Sequence, residues 1–165
     1  MSDILLHEVK GKSEIITFNN PNKLNVLSDE MLELLLNALE KSSSNPKTKV
    51  VIIKSTGKAF CAGHDLKEMQ NARINSDDGI GYFKDLFKRC SKVMLKIKNL
   101  PKPVIAEVQG IATAAGCQLV ATCDIAIASK NASFGVNGVN IGLFCSTPMV
   151  ALSRNIGRKK TFEML

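Results

Sequence analysis

Short apolar runs alternate with stretches of helical periodicity along this chain, and that alternation limits the folds it can adopt. Residues 49–54 and 104–108 are rich in β-branched side chains, which is typical of buried strands. Between them, apolar side chains recur every three or four positions over residues 80–97, which predicts one face of a long helix. A further helix is expected after Ser28, which has the side chain of an N-cap residue. Strands that alternate with helices in this way indicate an α/β fold.

The composition is typical of a globular chain with one hydrophobic core. Hydrophobic residues make up 45% and charged residues 22% of the 165 positions, which argues against a disordered or low-complexity chain. A chain of this length supports one domain and leaves little for a second. No linker or internal repeat divides it, so we expect residues 1–165 to form a single domain.

The charge balance is basic, with 22 lysines and arginines against 15 acidic residues, for a net charge of +7. An excess of this kind indicates either an anionic partner, such as a phosphate-bearing ligand, or solubility alone, and the residues leave both open. Aromatic residues are only 5% of the chain and tryptophan is absent. No basic stripe with interleaved aromatic side chains occurs, which makes nucleic-acid binding the least favoured function.

The cysteines and histidines predict no metal site. Five cysteines occur without C-x-x-C spacing, and the two histidines are far apart in the sequence. An odd number of cysteines without a disulfide pattern indicates a reducing compartment. Acidic residues near the N-terminus argue against a secretory signal, and no run of about 18 apolar residues occurs, so no membrane span is expected. These features predict the cytoplasm or, in a eukaryote, the mitochondrial matrix.

Two segments of small residues are the strongest candidates for a binding site. The first segment, residues 59–67 (AFCAGHDLK), comes after the strand at 49–54 and overlaps the end of a loop that we expect over 55–63. The second segment, residues 110–117 (GIATAAGC), comes after the strand at 104–108. Each segment is read as a turn from strand to helix, where backbone N–H groups without helical partners bind a negative oxygen. Tight packing of a helix on a sheet also selects small residues, so each segment has two readings. Neither segment matches a phosphate-binding loop.

Several longer motifs resemble the enoyl-CoA hydratase/isomerase family, also called the crotonase superfamily. The matching stretches are residues 20–27 (NPNKLNVL), 60–66 (FCAGHDL), 103–110 (PVIAEVQG), 115–119 (AGCQL), 123–128 (CDIAIA) and 134–135 (FG). Their order and spacing fit the family across nearly the whole chain. Residues 140–148 (NIGLFCSTP) resemble one subgroup of that family.

The resemblance implies a fold, a ligand and a set of site residues. The fold is a spiral of ββα units that stops before the helical C-terminal region of the family. The substrate is an acyl-CoA thioester, with coenzyme A as part of the substrate and no permanently bound cofactor. The backbone N–H groups of His64 and Ala115 are implied to hold the thioester carbonyl as an oxyanion hole. Full-length members form trimers or hexamers, which implies a homo-oligomer. The residues implied to contact coenzyme A are Lys23, Leu24, Val26, Ala62, His64, Asp65, Leu66 and Lys67.

The chain departs from the family at two catalytic positions. Hydratases of the family carry glutamates where this sequence has Gln118 and Gly138. Glutamine cannot act as a general base and glycine has no side chain, and losing one such group costs about 10²- to 10⁴-fold in rate. Standard hydration of an enoyl-CoA is therefore doubtful.

Other residues near these motifs have both a chemical and a structural interpretation. The imidazole of His64 is either a replacement base or an ordinary structural side chain. Asp65 is expected to cap the following helix, and Asn137 and Asn140 either orient a polar acyl group or stabilise a turn. The function is therefore either an acyl-CoA enzyme that stabilises an enolate or a non-catalytic acyl-CoA-binding or regulatory protein.

Overall fold

The computed structural model describes residues 4–165, which fold into strands and helices that alternate along the chain. The strands are β1 (Leu5–Lys10), β2 (Ser13–Phe18), β3 (Val50–Ser55), β4 (Ala59–Cys61), β5 (Val104–Val108), β6 (Ile111–Thr113), β7 (Ile125–Ala128) and β8 (Ser133–Gly135). The helices are α1 (Asp29–Ser44), α2 (Leu66–Ala72), α3 (Ile80–Lys98), α4 (Ala115–Thr122), α5 (Ser146–Asn155) and α6 (Arg158–Met164). Short 3₁₀ turns occupy Pro21–Lys23 and Asn137–Ile141. Within residues 4–165, none of the helices is long and apolar enough to cross a membrane.

Two sheets organise the chain. A five-stranded sheet has the order β1-β2-β3-β5-β7, in which the β1–β2 hairpin is antiparallel and the other pairs are parallel. A three-stranded parallel sheet has the order β4-β6-β8. Successive parts of the chain add one strand to the large sheet, one to the small sheet and then helical structure. The expected α/β spiral of ββα units is thus confirmed.

The small sheet is the part of the fold that the apolar pattern did not predict. Residues 55–63 were expected to form a loop, but they contain β4, and residues 110–113 contain β6. Each of these strands is three residues long, which is too short to show the alternation that identifies a half-buried strand. The strands that lead into the two small-residue turns are therefore β4 and β6.

Helices α1 and α3 pack against each other beside the large sheet. Ser28 caps α1, since its hydroxyl accepts a hydrogen bond of 3.2 Å from the Met31 N–H. On α3 the buried side chains are Leu86, Cys90, Val93, Met94 and Ile97. Phe87, which the helical pattern also placed on the core face, is 42% exposed. Its side chain borders a cavity described below.

A buried carboxylate ties β2 to the end of α1. Glu14 is 1% exposed and accepts hydrogen bonds from Ser42 Oγ (2.5 Å), Thr48 Oγ1 (2.5 Å), Asn45 Nδ2 (3.0 Å) and His7 Nε2 (2.8 Å). Burial opposes ionisation of Glu14, but these four hydrogen bonds outweigh it and hold the pKa of the carboxyl at about 2. The carboxylate is therefore charged across the physiological range and joins three segments of the chain.

We expect Glu14→Gln to destabilise the fold by about 3 kcal/mol at neutral pH, because the folded state binds the charged form more strongly than the unfolded state does. The folded pKa is depressed, so this contribution is complete above the ordinary pKa of 4.5 and is lost as the pH falls toward about 2. Urea unfolding at pH 7 and at pH 3 measures it. The difference in the free energy of unfolding between wild type and variant should be smaller at pH 3 than at pH 7. A difference that does not change with pH would contradict this account. Glu8→Gln, on an exposed residue of β1, is the matched control.

Candidate active site

The two small-residue turns lie against each other, and Gly63 permits that contact. Its φ is +96°, a backbone conformation that favours glycine. A Cβ at this position would lie 3.0 Å from the Ala114 Cβ and 3.4 Å from the Ala115 nitrogen. The turn from β4 to α2 therefore touches the turn from β6 to α4, although about fifty residues separate them in the sequence.

Each turn presents a backbone N–H that the surrounding structure leaves free. The Leu27 N–H donates to the Gly63 carbonyl at 2.7 Å and fixes the first turn. Ala115 is the first residue of α4, so its N–H precedes the helical hydrogen-bond ladder. Within residues 4–165, no hydrogen bond is found for the backbone N–H of His64 or of Ala115. Such groups bind a negatively charged oxygen.

A cavity of about 510 Å³ borders both turns. Its wall includes the turn residues Ala62, His64 and Ala115, together with residues of the 3₁₀ turn Asn137–Ile141 and of the start of α5. Much of the lining is apolar and includes Leu66, Met69, Phe87, Ile141, Leu143 and Phe144. An apolar cavity with a few converging polar groups is typical of a small-molecule site.

His64 borders this cavity, and its imidazole is mostly buried. Its ring lies edge-on to Phe87, with the ring centroids 5.9 Å apart. Burial lowers the pKa of His64 below its ordinary value of 6.5, and Arg89 lowers it further, while the Leu27 carbonyl and Asp29 oppose both effects. Nδ1 is buried and has no hydrogen-bond partner within the described part of the chain. The ring is therefore neutral at pH 7 and able to accept a proton.

A polar loop beside the first turn contains several of the residues implied to contact coenzyme A. Lys23, at 61% exposure, lies with Nζ 3.8 Å from the Asp65 carboxylate. The Leu24 carbonyl accepts a hydrogen bond of 3.1 Å from the Ala62 N–H, which fastens the loop to the turn. The structure thus brings Lys23, Leu24, Ala62 and Asp65 together.

Asn25 holds this loop in place, and the sequence analysis did not single it out. Its side chain is fully buried, and Nδ2 donates hydrogen bonds of 2.8 Å to the carbonyls of Thr56 and Ala59. Its Oδ1 accepts from the Asn20 N–H at 2.8 Å, and its φ of 53° is left-handed. An asparagine within a proline- and asparagine-rich loop was the available signal, because asparagine tolerates that conformation.

Asp65 caps α2, as predicted. Its Oδ1 accepts hydrogen bonds from the N–H groups of Lys67 (2.9 Å) and Glu68 (3.4 Å). Leu66 and Lys67 follow with exposed side chains, and Leu66 also borders the cavity. The helix therefore begins directly after the turn that carries the His64 N–H.

Gln118 and Gly138, the positions where the family resemblance implies glutamates, lie in different surroundings. Gly138 borders the cavity, but a Cβ there would lie 2.5 Å from the Leu143 carbonyl oxygen and 2.6 Å from Cys145 Sγ. The backbone as folded therefore has no room for a side chain at 138. Gln118 is 8% exposed and lines an adjoining cavity instead, and its Oε1 has no partner within residues 4–165.

The remaining predicted residues are distributed around the same site. Asn137 and Asn140 both border the cavity, and Asn137 Oδ1 accepts a hydrogen bond of 2.5 Å from Thr113 Oγ1. Burial raises the pKa of the Cys61 thiol to about 12 and that of the Cys117 thiol to about 11. Both thiols are protonated at neutral pH, so they act as small apolar groups rather than nucleophiles.

The comparison with known proteins shows the family of the chain. The family model described as enoyl-CoA hydratase/isomerase matches residues 10–165. The chain belongs to the enoyl-CoA hydratase/isomerase family. It is 46% identical over 164 residues to the mitochondrial enoyl-CoA hydratase domain-containing protein 3 of Danio rerio, covering 99% of this chain and 55% of the relative. The human protein of that name is 50% identical over 150 residues, covering 91% of this chain and 48% of the relative. The subgroup expected from residues 140–148 is thus confirmed.

Solved structures of the family superpose closely on the chain. A crystal structure of an enoyl-CoA hydratase from Mycobacterium smegmatis has a TM-score of 0.90 at 51% identity, covering 98% of this chain and 62% of that one. The human enoyl-CoA hydratase domain-containing protein 3 also has a TM-score of 0.90, at 46% identity and with the same coverage. The chain spans about half the length of the named relatives above.

Ala114, at the start of the second turn, has a strained backbone, with φ of 50° and ψ of −123°. We expect Ala114→Gly to stabilise the protein by about 1 kcal/mol, because an L side chain rarely adopts this conformation and glycine removes the strain. Ala121→Gly, at a regular helical position of α4, should instead destabilise it by about 1 kcal/mol. Urea unfolding of both variants measures the two effects. If Ala114→Gly lost as much stability as Ala121→Gly, the backbone of Ala114 would not be strained.

Proposed function

We propose that this chain binds an acyl-CoA thioester in the cavity between the two turns and stabilises its enolate. The observation that carries the proposal is the presence of two unpaired backbone N–H groups, of His64 and Ala115, on turns that touch each other beside one cavity. The thioester carbonyl accepts hydrogen bonds from both. In a water-excluded site each such donor contributes about 3 kcal/mol to stabilising the developing negative charge.

The surrounding residues suit a coenzyme A thioester. The apolar walls of the cavity, including Leu66 and Phe144, accommodate the acyl group. Lys23 and Lys67, both exposed beside the first turn, supply positive charge for the nucleotide phosphates. The net charge of +7 favours the same anionic ligand. Val26 completes the loop that we assign to coenzyme A.

The reaction we infer is proton transfer at the α-carbon, as in an isomerase-type or lyase-type member of the family acting in acyl-CoA metabolism. His64 is our candidate base, because the residue borders the cavity and its lowered pKa favours the neutral imidazole at pH 7. It takes the α-proton, and the electron pair moves onto the thioester oxygen held by the two N–H groups. Gln118 and Gly138 supply no carboxylate, so the hydration of a double bond is not part of the proposal.

One observation favours a second function, that of a non-catalytic acyl-CoA-binding or regulatory protein. The Leu143 carbonyl and Cys145 Sγ fill the space beside Gly138 that a catalytic side chain would need. If His64 does not reach the α-carbon, the same cavity binds the thioester and leaves it unchanged.

The cellular compartment of the protein is inferred from its relatives. The Danio rerio and human relatives are named as mitochondrial proteins, which supports the mitochondrial matrix over the cytoplasm for this chain. We propose a homo-oligomer, with coenzyme A arriving only as part of the substrate. We further propose that residues 1–165 correspond to the N-terminal spiral core of the family.

Proton NMR of butyryl-CoA in D₂O tests the proposal directly. We expect broadened ligand lines and loss of the α-proton signal. The exchange rate should rise with pH to a plateau whose midpoint lies below 6.5, because burial lowers the pKa of His64 and the base is its neutral form. His64→Gln should slow exchange by about 10²-fold or more while binding persists, and added imidazole should partly restore it.

Three other outcomes of this experiment have distinct meanings. Broadening without exchange supports the non-catalytic function. Equal exchange in wild type and His64→Gln excludes His64 as the base. The absence of both broadening and exchange contradicts the proposed function.

A further inference from the structure

A second cavity adjoins the first, and the proposed reaction does not use it. It has a volume of about 600 Å³ and lies between α3, α4 and α5. Phe87 and Thr147 border both cavities, so the two spaces share a wall at these side chains. Neither Lys23 nor Lys67 borders it, which separates it from the residues that we assign to coenzyme A.

The second cavity contains a buried polar side chain without a partner. Gln118 is more than nine-tenths buried on α4, and its Oε1 makes no hydrogen bond within residues 4–165. A buried polar group in this state costs free energy unless an occupant satisfies it. Ser91 and Thr122 also border this cavity, and the Thr122 hydroxyl donates a hydrogen bond of 2.7 Å to the Gln118 carbonyl. A lining of this kind suits an occupant with polar atoms better than a plain hydrocarbon chain.

The charges around the second cavity are predominantly positive. Lys98, at the end of α3, and Arg154, on α5, both border it, and neither forms an ion pair within the described part of the chain. The only acidic side chain in its lining, that of Asp124, accepts a hydrogen bond of 2.8 Å from the Val104 N–H. The two cations are therefore available to an anionic ligand.

We propose that the second cavity receives the far end of the acyl group and selects acyl chains that end in a carboxylate. This inference rests on the proposed function, since the first cavity holds the thioester. The acyl chain passes Phe87 and Thr147, and its terminal carboxylate reaches Arg154 and Lys98. A guanidinium group recognises a carboxylate through two parallel hydrogen bonds, which gives both affinity and geometric selectivity. The substrate class is thus a dicarboxylic acyl-CoA.

Isothermal titration calorimetry of matched thioester pairs tests this selectivity. The pairs are glutaryl- and pentanoyl-CoA, adipoyl- and hexanoyl-CoA, and suberoyl- and octanoyl-CoA, which differ within each pair only at the acyl terminus. In at least one pair, the dicarboxylic thioester should bind at least about tenfold more tightly, the effect of one charge-assisted contact. The preferred length reports how far the carboxylate lies from the thioester.

Variants assign the preference to its residues. Arg154→Gln should reduce it to about twofold or less and leave the affinity for the monocarboxylic thioester unchanged. Lys98→Gln should reduce it in part. Lys92→Gln removes an exposed cation of α3 that does not border the second cavity, and it should change neither affinity. In the wild type, the preference should also weaken as salt is raised, which tests the charge contribution without any substitution.

Equal affinities within every pair would overturn the selectivity and leave the proposed function intact. A preference that persists in an Arg154→Gln/Lys98→Gln double variant would overturn the assignment to these cations. If neither member of any pair binds, the proposed function fails, and this inference fails with it.

Discussion

The close contact between the β4–α2 and β6–α4 turns is the constraint on which the rest of the site depends. At Gly116, a Cβ would lie 2.2 Å from the Cys61 carbonyl oxygen, so α4 packs directly on the backbone of β4. Gly63 allows the equivalent approach on the other side, where its turn meets Ala114 and Ala115. This spacing sets two backbone N–H groups beside one cavity without using any functional side chain. Because the proposed oxyanion hole consists of backbone groups, its geometry does not depend on the side chains at positions 118 and 138.

The reaction that we propose for this chain depends on the surroundings of positions 118 and 138. Gly138 leaves no side chain in the first cavity, and the Leu143 carbonyl and Cys145 occupy the adjacent space. Gln118 borders the second cavity, as do Lys98 and Arg154, which form no ion pair within residues 4–165. Of the two positions where the family resemblance implies a glutamate, 138 has no room for a side chain and 118 borders the region that we assign to the acyl terminus. The buried imidazole of His64 is the titratable group that we assign to proton transfer.

Much of this arrangement could be predicted from the sequence. The features that could not be predicted were missed for physical reasons. The long strands, the caps at Ser28 and Asp65 and the small-residue turns all have strong local signals. Strands β4, β6 and β8 are three residues long and carry no periodic signal, so the small sheet was missed. The orientation of the His64 ring and the side of α4 that Gln118 faces depend on packing against Phe87 and α5, which no local pattern encodes.

Carbon-13 NMR of butyryl-CoA labelled at the thioester carbonyl tests the central claim, that the His64 and Ala115 N–H groups hold this carbonyl. Two hydrogen bonds to the oxygen withdraw electron density from the carbonyl carbon, so its resonance should move downfield of the free thioester on binding. The shift should persist in His64→Gln, which retains both N–H groups. A bound thioester whose carbonyl resonance stays at its free position would contradict the account, because the ligand would then be held without contact to these two groups.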